Sequence, residues 1–121
     1  MPRVLVVDDD AFVGRALGRM LSRFCEVQVA GSVSEAEALL EVGEEYNLIL
    51  CDLLLPERGG AEFYRELAKN DVKSAKKVAF MTGLGPDARE AQEFEGVPCL
   101  EKPLNADVVR SLLAERGALL S

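Results

Sequence analysis

The sequence contains no histidine and no tryptophan, and it has only three cysteines. Histidine is the usual general base near neutral pH and the commonest transition-metal ligand, so its absence leaves carboxylates, lysine, threonine or a hard cation to carry any chemistry. The three cysteines, at positions 25, 51 and 99, are an odd number, so they cannot all pair in disulfides within the chain. They also lack the spacing of a metal site. We therefore predict reduced, mostly buried cysteines that serve packing.

Long apolar runs and a basic surface are also missing. No run approaches the roughly 18 to 20 apolar residues that a membrane-spanning helix needs, and the amino-terminal MPRVLVVDDD has too few apolar residues for a signal peptide. We expect a cytoplasmic chain that does not bind membranes. The 14 basic and 21 acidic residues give a formal net charge of −7, which argues against nucleic-acid binding because phosphate contacts need clustered positive charge.

A length of 121 residues suits one domain, and no linker or repeat divides the chain, so residues 1–121 are predicted to fold as a single unit. Five short apolar runs predict strands, and segments with helical spacing separate them. These runs cover residues 4–7, 27–30, 48–51, 78–81 and 97–100. The first, third and fourth are apolar throughout, as in strands buried on both faces of a parallel sheet. The pattern predicts a (βα)5 α/β fold, a three-layer sandwich with helices on both faces.

Local signals predict several helix boundaries. Ser32 or Ser34 can cap the second helix, and Pro86 can open the fourth. The last helix is predicted to start near Asn105 and to fray by Gly117.

Polar residues follow four of the predicted strands. Asp8 and Asp9 come after the first, Asp52 after the third, Thr82 after the fourth and Lys102 after the fifth. Because the carboxyl ends of parallel strands share one edge, these side chains are expected to converge there. Three converging carboxylates need a cation, and oxygen ligands suit Mg²⁺. Asp52 is then placed as a nucleophile that forms an aspartyl phosphate, while Lys102 balances phosphoryl charge and Thr82 hydrogen-bonds a phosphoryl oxygen.

The segments VLVVDDD, CDLLLPERGG, MTG and EKP occur in the order and spacing of receiver domains from two-component response regulators. The chain resembles that family over essentially its whole length. The resemblance implies a flavodoxin-like parallel sheet in the order 2-1-3-4-5. It also implies that Asp8 and Asp9 are the acidic pair, Asp52 the phosphoacceptor and Thr82 the switch hydroxyl. Lys102 would correspond to the invariant lysine of the family.

The same resemblance implies a ligand set for Mg²⁺. Asp9 and Asp52 would bind the ion directly, the backbone carbonyl of Leu54 would supply a third protein ligand, and Asp8 would act mainly through a metal-bound water. The peptide bond between Lys102 and Pro103 is expected to be cis.

The family also implies partners and a mode of action. The phosphoryl donor would be a phosphohistidine on a sensor histidine kinase or a histidine phosphotransfer protein, and the chain would catalyse only its own phosphorylation and dephosphorylation. The resemblance allows a phosphorylation-linked dimer. The segments FMTG and LEKP resemble those of receiver domains in hybrid sensor kinases more than those of DNA-binding regulators.

Two departures from the family pattern affect how the switch is read. Cys99 stands where the family often has an aromatic residue on the fifth strand. The segment 83–98 is short and rich in Gly, Pro and Glu, which predicts a truncated fourth helix and an output through another face.

Other interpretations stay open beside the receiver hypothesis. Asp8–Asp10 alone would suit a solvated loop in which Asp10 caps the first helix, and the basic stretch 73–77 is predicted to be an exposed loop. A receiver-like adaptor that takes no phosphate is one alternative. A Mg²⁺-dependent phosphohydrolase is disfavoured because Leu54 stands where such enzymes place a second carboxylate.

The phosphorylated chain is predicted to lose its phosphate slowly. Leu54 and Leu84 occupy positions that flank the phosphoryl site in the family, and neither offers a polar group to orient an attacking water. The lifetime can be followed by intact mass after removal of the donor. A lifetime as short as that of the fastest receiver domains would contradict this prediction.

Overall fold

The protein is described here from a computed structural model that covers residues 1–53, 59–83 and 96–117. Strands and helices alternate along most of the chain. In chain order they are β1 (Arg3–Val7), α1 (Ala11–Leu21), β2 (Glu26–Ala30), α2 (Val33–Glu41), β3 (Leu48–Asp52), α3 (Gly60–Asn70), α4 (Val72–Ala75), β4 (Val78–Thr82), β5 (Cys99–Glu101) and α5 (Ala106–Glu115). Within these described ranges, no helix has the length and apolar character needed to cross a membrane.

The five strands form one parallel sheet in the order β2-β1-β3-β4-β5, which confirms the predicted topology. Parallel pairing aligns the carboxyl ends of neighbouring strands. Val7, the last residue of β1, pairs with Cys51, the residue before the last of β3. Thr82 pairs with Glu101 at the end of β4 and β5. Residues that directly follow these four strands therefore meet at one edge of the sheet.

Alternate residues of each strand enter two separate cores, one on each face of the sheet. In β1, Leu5 and Val7 pack with α2, α3 and α4, whereas Val4 and Val6 pack with α1 and α5. All four side chains are fully buried. The continuous apolar runs thus have the predicted cause, because strands covered on both faces need apolar residues at every position.

The three cysteines belong to these cores or their margins. Cys25 and Cys51 are buried, Cys99 is partly buried, and all three are free thiols. Burial raises the pKa of the Cys25 and Cys99 thiols. The predicted reduced packing role is confirmed.

Side-chain caps fix the helix starts that the sequence predicted. The Ser32 hydroxyl accepts a hydrogen bond from the Glu35 amide at 3.2 Å, so Ser32 rather than Ser34 caps α2. The Asn105 side chain accepts one from the Val108 amide at 3.0 Å and caps α5. The helix that Pro86 was predicted to open lies outside the described residues.

Two predictions about local structure, one on the fifth strand and one on a loop, are wrong. The fifth strand was placed at 97–100 but spans Cys99–Glu101. Pro98 has no N–H to donate and contributes only its carbonyl, which accepts from the Phe80 amide at 2.8 Å. The stretch 73–77, predicted as a loop, overlaps the short helix α4. The Asp71 carboxylate caps this helix by accepting from the Ser74 amide at 3.2 Å and from the Ser74 hydroxyl at 2.7 Å.

Candidate functional site

The carboxyl edge of the sheet brings together the three aspartates that the sequence singled out. Asp8 and Asp9 follow β1, and Asp52 ends β3. One carboxylate oxygen from each lies within 4.8 Å of the others. Asp8 is buried, Asp52 is partly buried and Asp9 is exposed, so the cluster runs from the protein interior to its surface.

The ammonium of Lys102 connects the two inner carboxylates. Its Nζ lies 2.8 Å from Oδ2 of Asp8 and 3.1 Å from Oδ2 of Asp52. The backbone directs it there, because the Lys102 amide donates to the Thr82 carbonyl at 2.8 Å and extends the β4–β5 pairing by one residue. The Lys102–Pro103 peptide bond is cis, as expected.

Two opposing effects set the pKa of Lys102. Burial alone would lower it, but the hydrogen bonds and negative charges of Asp8 and Asp52 outweigh burial and hold the Lys102 pKa above its ordinary value. Lys102 is therefore a cation throughout the physiological pH range. Its charged hydrogen bonds are of the strong kind that fix geometry.

Asp8 is held from both sides. Its Oδ1 accepts a hydrogen bond from the Asp10 amide at 2.9 Å, and its Oδ2 accepts one from Lys102. The Asp8 side chain has no exposed surface. Burying a carboxylate without partners is very unfavourable, so these two contacts explain how Asp8 can lie in the interior.

Asp10 has a different role from its two neighbours. Its Oδ1 accepts from the Phe12 amide at 2.9 Å, which caps α1. The acidic triplet therefore divides into two residues of the carboxylate cluster and one helix cap, as the sequence predicted.

Of two other predicted site residues, Thr82 and Leu54, the structure describes only Thr82. Thr82 ends β4 at the same edge and is 1% exposed, so the structure brings it to the site. Leu54 lies outside the described residues, and its carbonyl remains a predicted ligand.

A buried thiol directly precedes Asp52. Burial is the main cause that raises the pKa of the Cys51 thiol, and the charges of Asp52 and Asp8 raise it further. The thiol donates a weak hydrogen bond to the Asp52 carbonyl oxygen at 3.5 Å. Cys51 therefore stays protonated and acts as packing beside the site.

Cys99, the residue that departs from the family pattern, pairs in register with Phe80 on β4. The Phe80 ring meets the Tyr64 ring of α3 edge to face, with centroids 5.9 Å apart. The aromatic contact on this face of the sheet is thus supplied by α3 and β4.

An apolar groove adjoins the site, and sequence reasoning missed it. It has a volume of about 370 Å³ and is lined by Val13, Ala16, Leu17, Met20, Lys102, Pro103 and Leu104. The groove lies between α1 and the turn that follows β5. Its apolar residues read in the sequence as ordinary helix and loop positions, and only the fold brings them beside Lys102.

The donor set suits a hard divalent cation. Asp8, Asp9 and Asp52 offer only oxygen atoms, and the single ammonium of Lys102 balances one of their three charges. Mg²⁺ and Ca²⁺ prefer such oxygen ligands, whereas softer metals prefer nitrogen or sulfur. The residues present therefore fit the metal that the family resemblance implied.

Comparison with known proteins gives the family directly. The family model described as the response regulator receiver domain matches residues 4–114. A transcriptional regulatory protein CpxR homolog of Haemophilus influenzae is 32% identical over 99% of this chain and 51% of its own length. A protein-glutamate methylesterase/protein-glutamine glutaminase of Bacillus licheniformis is 30% identical over 96% of this chain and 35% of its own length.

A solved structure agrees with these sequence relatives. The CheY-like receiver domain protein of Methanospirillum hungatei superposes with a TM-score of 0.80 at 27% identity, covering 97% of this chain and 94% of that one. The chain thus belongs to the response regulator receiver domain family, whose members are phosphoacceptor switches in two-component signalling. The chain spans about half the length of the CpxR homolog and about a third of the length of the methylesterase/glutaminase.

The division of the acidic triplet can be tested with Asp10. Replacement by Ala removes the cap of α1 and should lower the free energy of unfolding by about 1 kcal/mol, as measured by urea denaturation. Asp10→Ser, which keeps a capping oxygen, should restore most of the loss. Equal stability of Asp10→Ala and the native chain would contradict the capping role.

Proposed function

We propose that Asp52 accepts a phosphoryl group and that this chain signals by the change of shape that follows. The observation that carries the proposal is the partly buried contact of Lys102 with both Asp8 and Asp52, at 2.8 and 3.1 Å. This contact supports Asp52 as the acceptor, because Asp52 is the partly buried carboxylate that contacts Lys102 and lies at the end of the central strand β3. Asp9 and Thr82 are the other two residues of the proposed phosphoryl-transfer site.

The proposed reaction transfers a phosphoryl group from a phosphohistidine. The P–N bond of the donor breaks, a P–O bond to a carboxylate oxygen of Asp52 forms, and the imidazole leaves. Lys102 neutralises charge on the phosphoryl oxygens, and the Thr82 hydroxyl donates a hydrogen bond to one of them after transfer. Phosphorylation adds negative charge at Asp52, and it switches the protein to the extent that one conformation binds that charge better.

We propose Mg²⁺ as the cation, with Asp9 and Asp52 as direct ligands and the Leu54 carbonyl as the third protein ligand. When bound, Mg²⁺ would supply the positive charge that the transferring phosphoryl group needs. Asp8 would act through a metal-bound water. Both of its oxygens already accept hydrogen bonds, from the Asp10 amide and from Lys102, which supports this indirect role.

The phosphoryl donor is proposed to be a sensor histidine kinase or a histidine phosphotransfer protein. A protein donor must bring its phosphohistidine within reach of Asp52, so its body must cover the surface next to Lys102. The apolar groove adjoins that surface, since Lys102 itself lines it. Phe12, which precedes the groove residue Val13 in α1, is also an apolar side chain and is 77% exposed. We therefore propose that an apolar helix face of the donor packs in this groove.

Several broader features are also proposals. Residues 1–121 form one receiver domain that acts in the cytoplasm and contacts neither nucleic acid nor membrane itself, in keeping with its net charge of −7. It catalyses nothing beyond its own phosphorylation and dephosphorylation, and it can dimerise when phosphorylated. The two curated relatives differ in the activities that their names describe, so their outputs are not carried over to this chain.

The acceptor assignment predicts one Asp52-dependent adduct. Incubation with acetyl phosphate should add one phosphoryl group in the presence of Mg²⁺ and none with excess EDTA, as read by intact mass. Asp52→Ala should abolish the adduct because it removes the nucleophile. Asp71→Ala, which removes a carboxylate from the cap of α4, is the matched control and should react like the native chain.

The remaining outcomes separate the alternatives. The absence of any adduct from acetyl phosphate or phosphoramidate would favour a phosphate-independent adaptor. Repeated turnover of p-nitrophenyl phosphate would instead revive the phosphohydrolase.

The groove assignment predicts that protein and small-molecule donors respond differently to Ala16→Glu. A carboxylate in the groove should slow transfer from a phosphorylated histidine phosphotransfer protein about tenfold or more, since binding would bury an unpaired charge. Transfer from acetyl phosphate should be unchanged. Ala38→Glu, on the exposed side of α2, is the matched control. Equal slowing of both donors would place the defect in the site and exclude the groove as a docking surface.

A further inference from the structure

Gly60, the first residue of α3, lies against the backbone of the phosphoacceptor. It is buried, and its amide donates a hydrogen bond to the Leu53 carbonyl at 3.1 Å. A Cβ added to Gly60 would collide with the carbonyl oxygen of Asp52. The same Cβ would lie 3.1 Å from Sγ of Cys51 and 3.1 Å from Cα of Leu53.

Neither side of this contact can move freely. β3 is a central strand, and the Leu53 amide extends its pairing by donating to the Met81 carbonyl at 2.9 Å. α3 is anchored in the core by Phe63 and Leu67. The atom in the way is a backbone oxygen, so no side-chain rotation can relieve the collision. A side chain at position 60 would therefore displace the end of β3, the start of α3, or both.

We infer that Gly60 is a positioning residue for phosphoryl transfer, because only glycine lets the start of α3 hold Asp52 in place against Lys102 and the other two aspartates. This inference rests on the proposed function. Asp52 reaches Lys102 at 3.1 Å, and misplacement of a reacting group by about 1 Å can cost a hundredfold in rate. A shift of the strand end is carried directly to the carboxylate, which is attached to the displaced residue.

The neighbouring Gly59 supplies a matched control. Among the described residues, a Cβ at Gly59 would meet only the Leu53 carbonyl oxygen, at 3.6 Å, which is an ordinary contact. Gly59→Ala therefore adds the same methyl group one residue earlier in the chain without a collision. Leu21→Ala is a second control, because it opens a cavity at a fully buried residue near the opposite edge of the sheet. It lowers stability without touching the site.

The test measures two properties of Gly60→Ala, Gly59→Ala, Leu21→Ala and the native chain. The first is the rate of adduct formation at saturating acetyl phosphate and Mg²⁺, and the second is the Mg²⁺ dissociation constant of the unphosphorylated protein. Gly60→Ala should react about tenfold or more slowly and bind Mg²⁺ more weakly. Gly59→Ala should match the native chain, and Leu21→Ala should lose thermal stability while keeping the native rate and affinity.

Each outcome decides the question. A Gly60→Ala protein with native rate and native Mg²⁺ affinity would overturn the inference, as would an equal loss of both in Leu21→Ala. If Gly60→Ala does not fold, the measurements are repeated in trimethylamine N-oxide, which favours the folded state. A variant that remains unfolded there would show that Gly60 serves folding alone, and would also overturn the inference. If the native chain itself forms no adduct and binds no Mg²⁺, the proposed function fails first.

Discussion

The contact of one partly buried ammonium, that of Lys102, with two carboxylates is the interaction on which the carboxyl edge of the sheet depends. Asp8 has no exposed side-chain surface, so its charge must be balanced within the protein. Lys102 provides that balance only because parallel pairing ends β1, β3 and β5 at the same edge. The sheet topology thus allows residues far apart in sequence to form a single network of charges. That network has more negative than positive charge, and a metal ion would neutralise the excess.

Much of this arrangement could be predicted from the sequence because its signals are strong and local. Unbroken apolar runs identify buried parallel strands, and a polar residue directly after such a run must lie at the carboxyl edge. The aspartates, Thr82 and Lys102 were found in this way. The cap role of Asp10 was also predictable, since an aspartate just before a helical segment satisfies its free amides.

Other features depend on contacts that no sequence pattern records. The start of β5 is set by Pro98, whose carbonyl joins the sheet although the residue cannot donate. The four residues of α4 are too few to show helical spacing, and the Asp71 cap makes the turn stable. The groove beside Lys102 and the close approach of Gly60 to Asp52 arise from tertiary packing, so they become visible only when the elements are assembled.

The alternation of side chains between two cores has a consequence for how this protein can diversify. In β3, Leu50 belongs to the core beneath α1 and α5, while the next residue, Cys51, belongs to the core beneath α2 and α3. Groups that share no contacts generally contribute to stability additively. Each face can therefore accumulate substitutions without forcing compensating changes on the other. Recognition surfaces on opposite sides of such a sheet can evolve separately while the charged edge between them is retained.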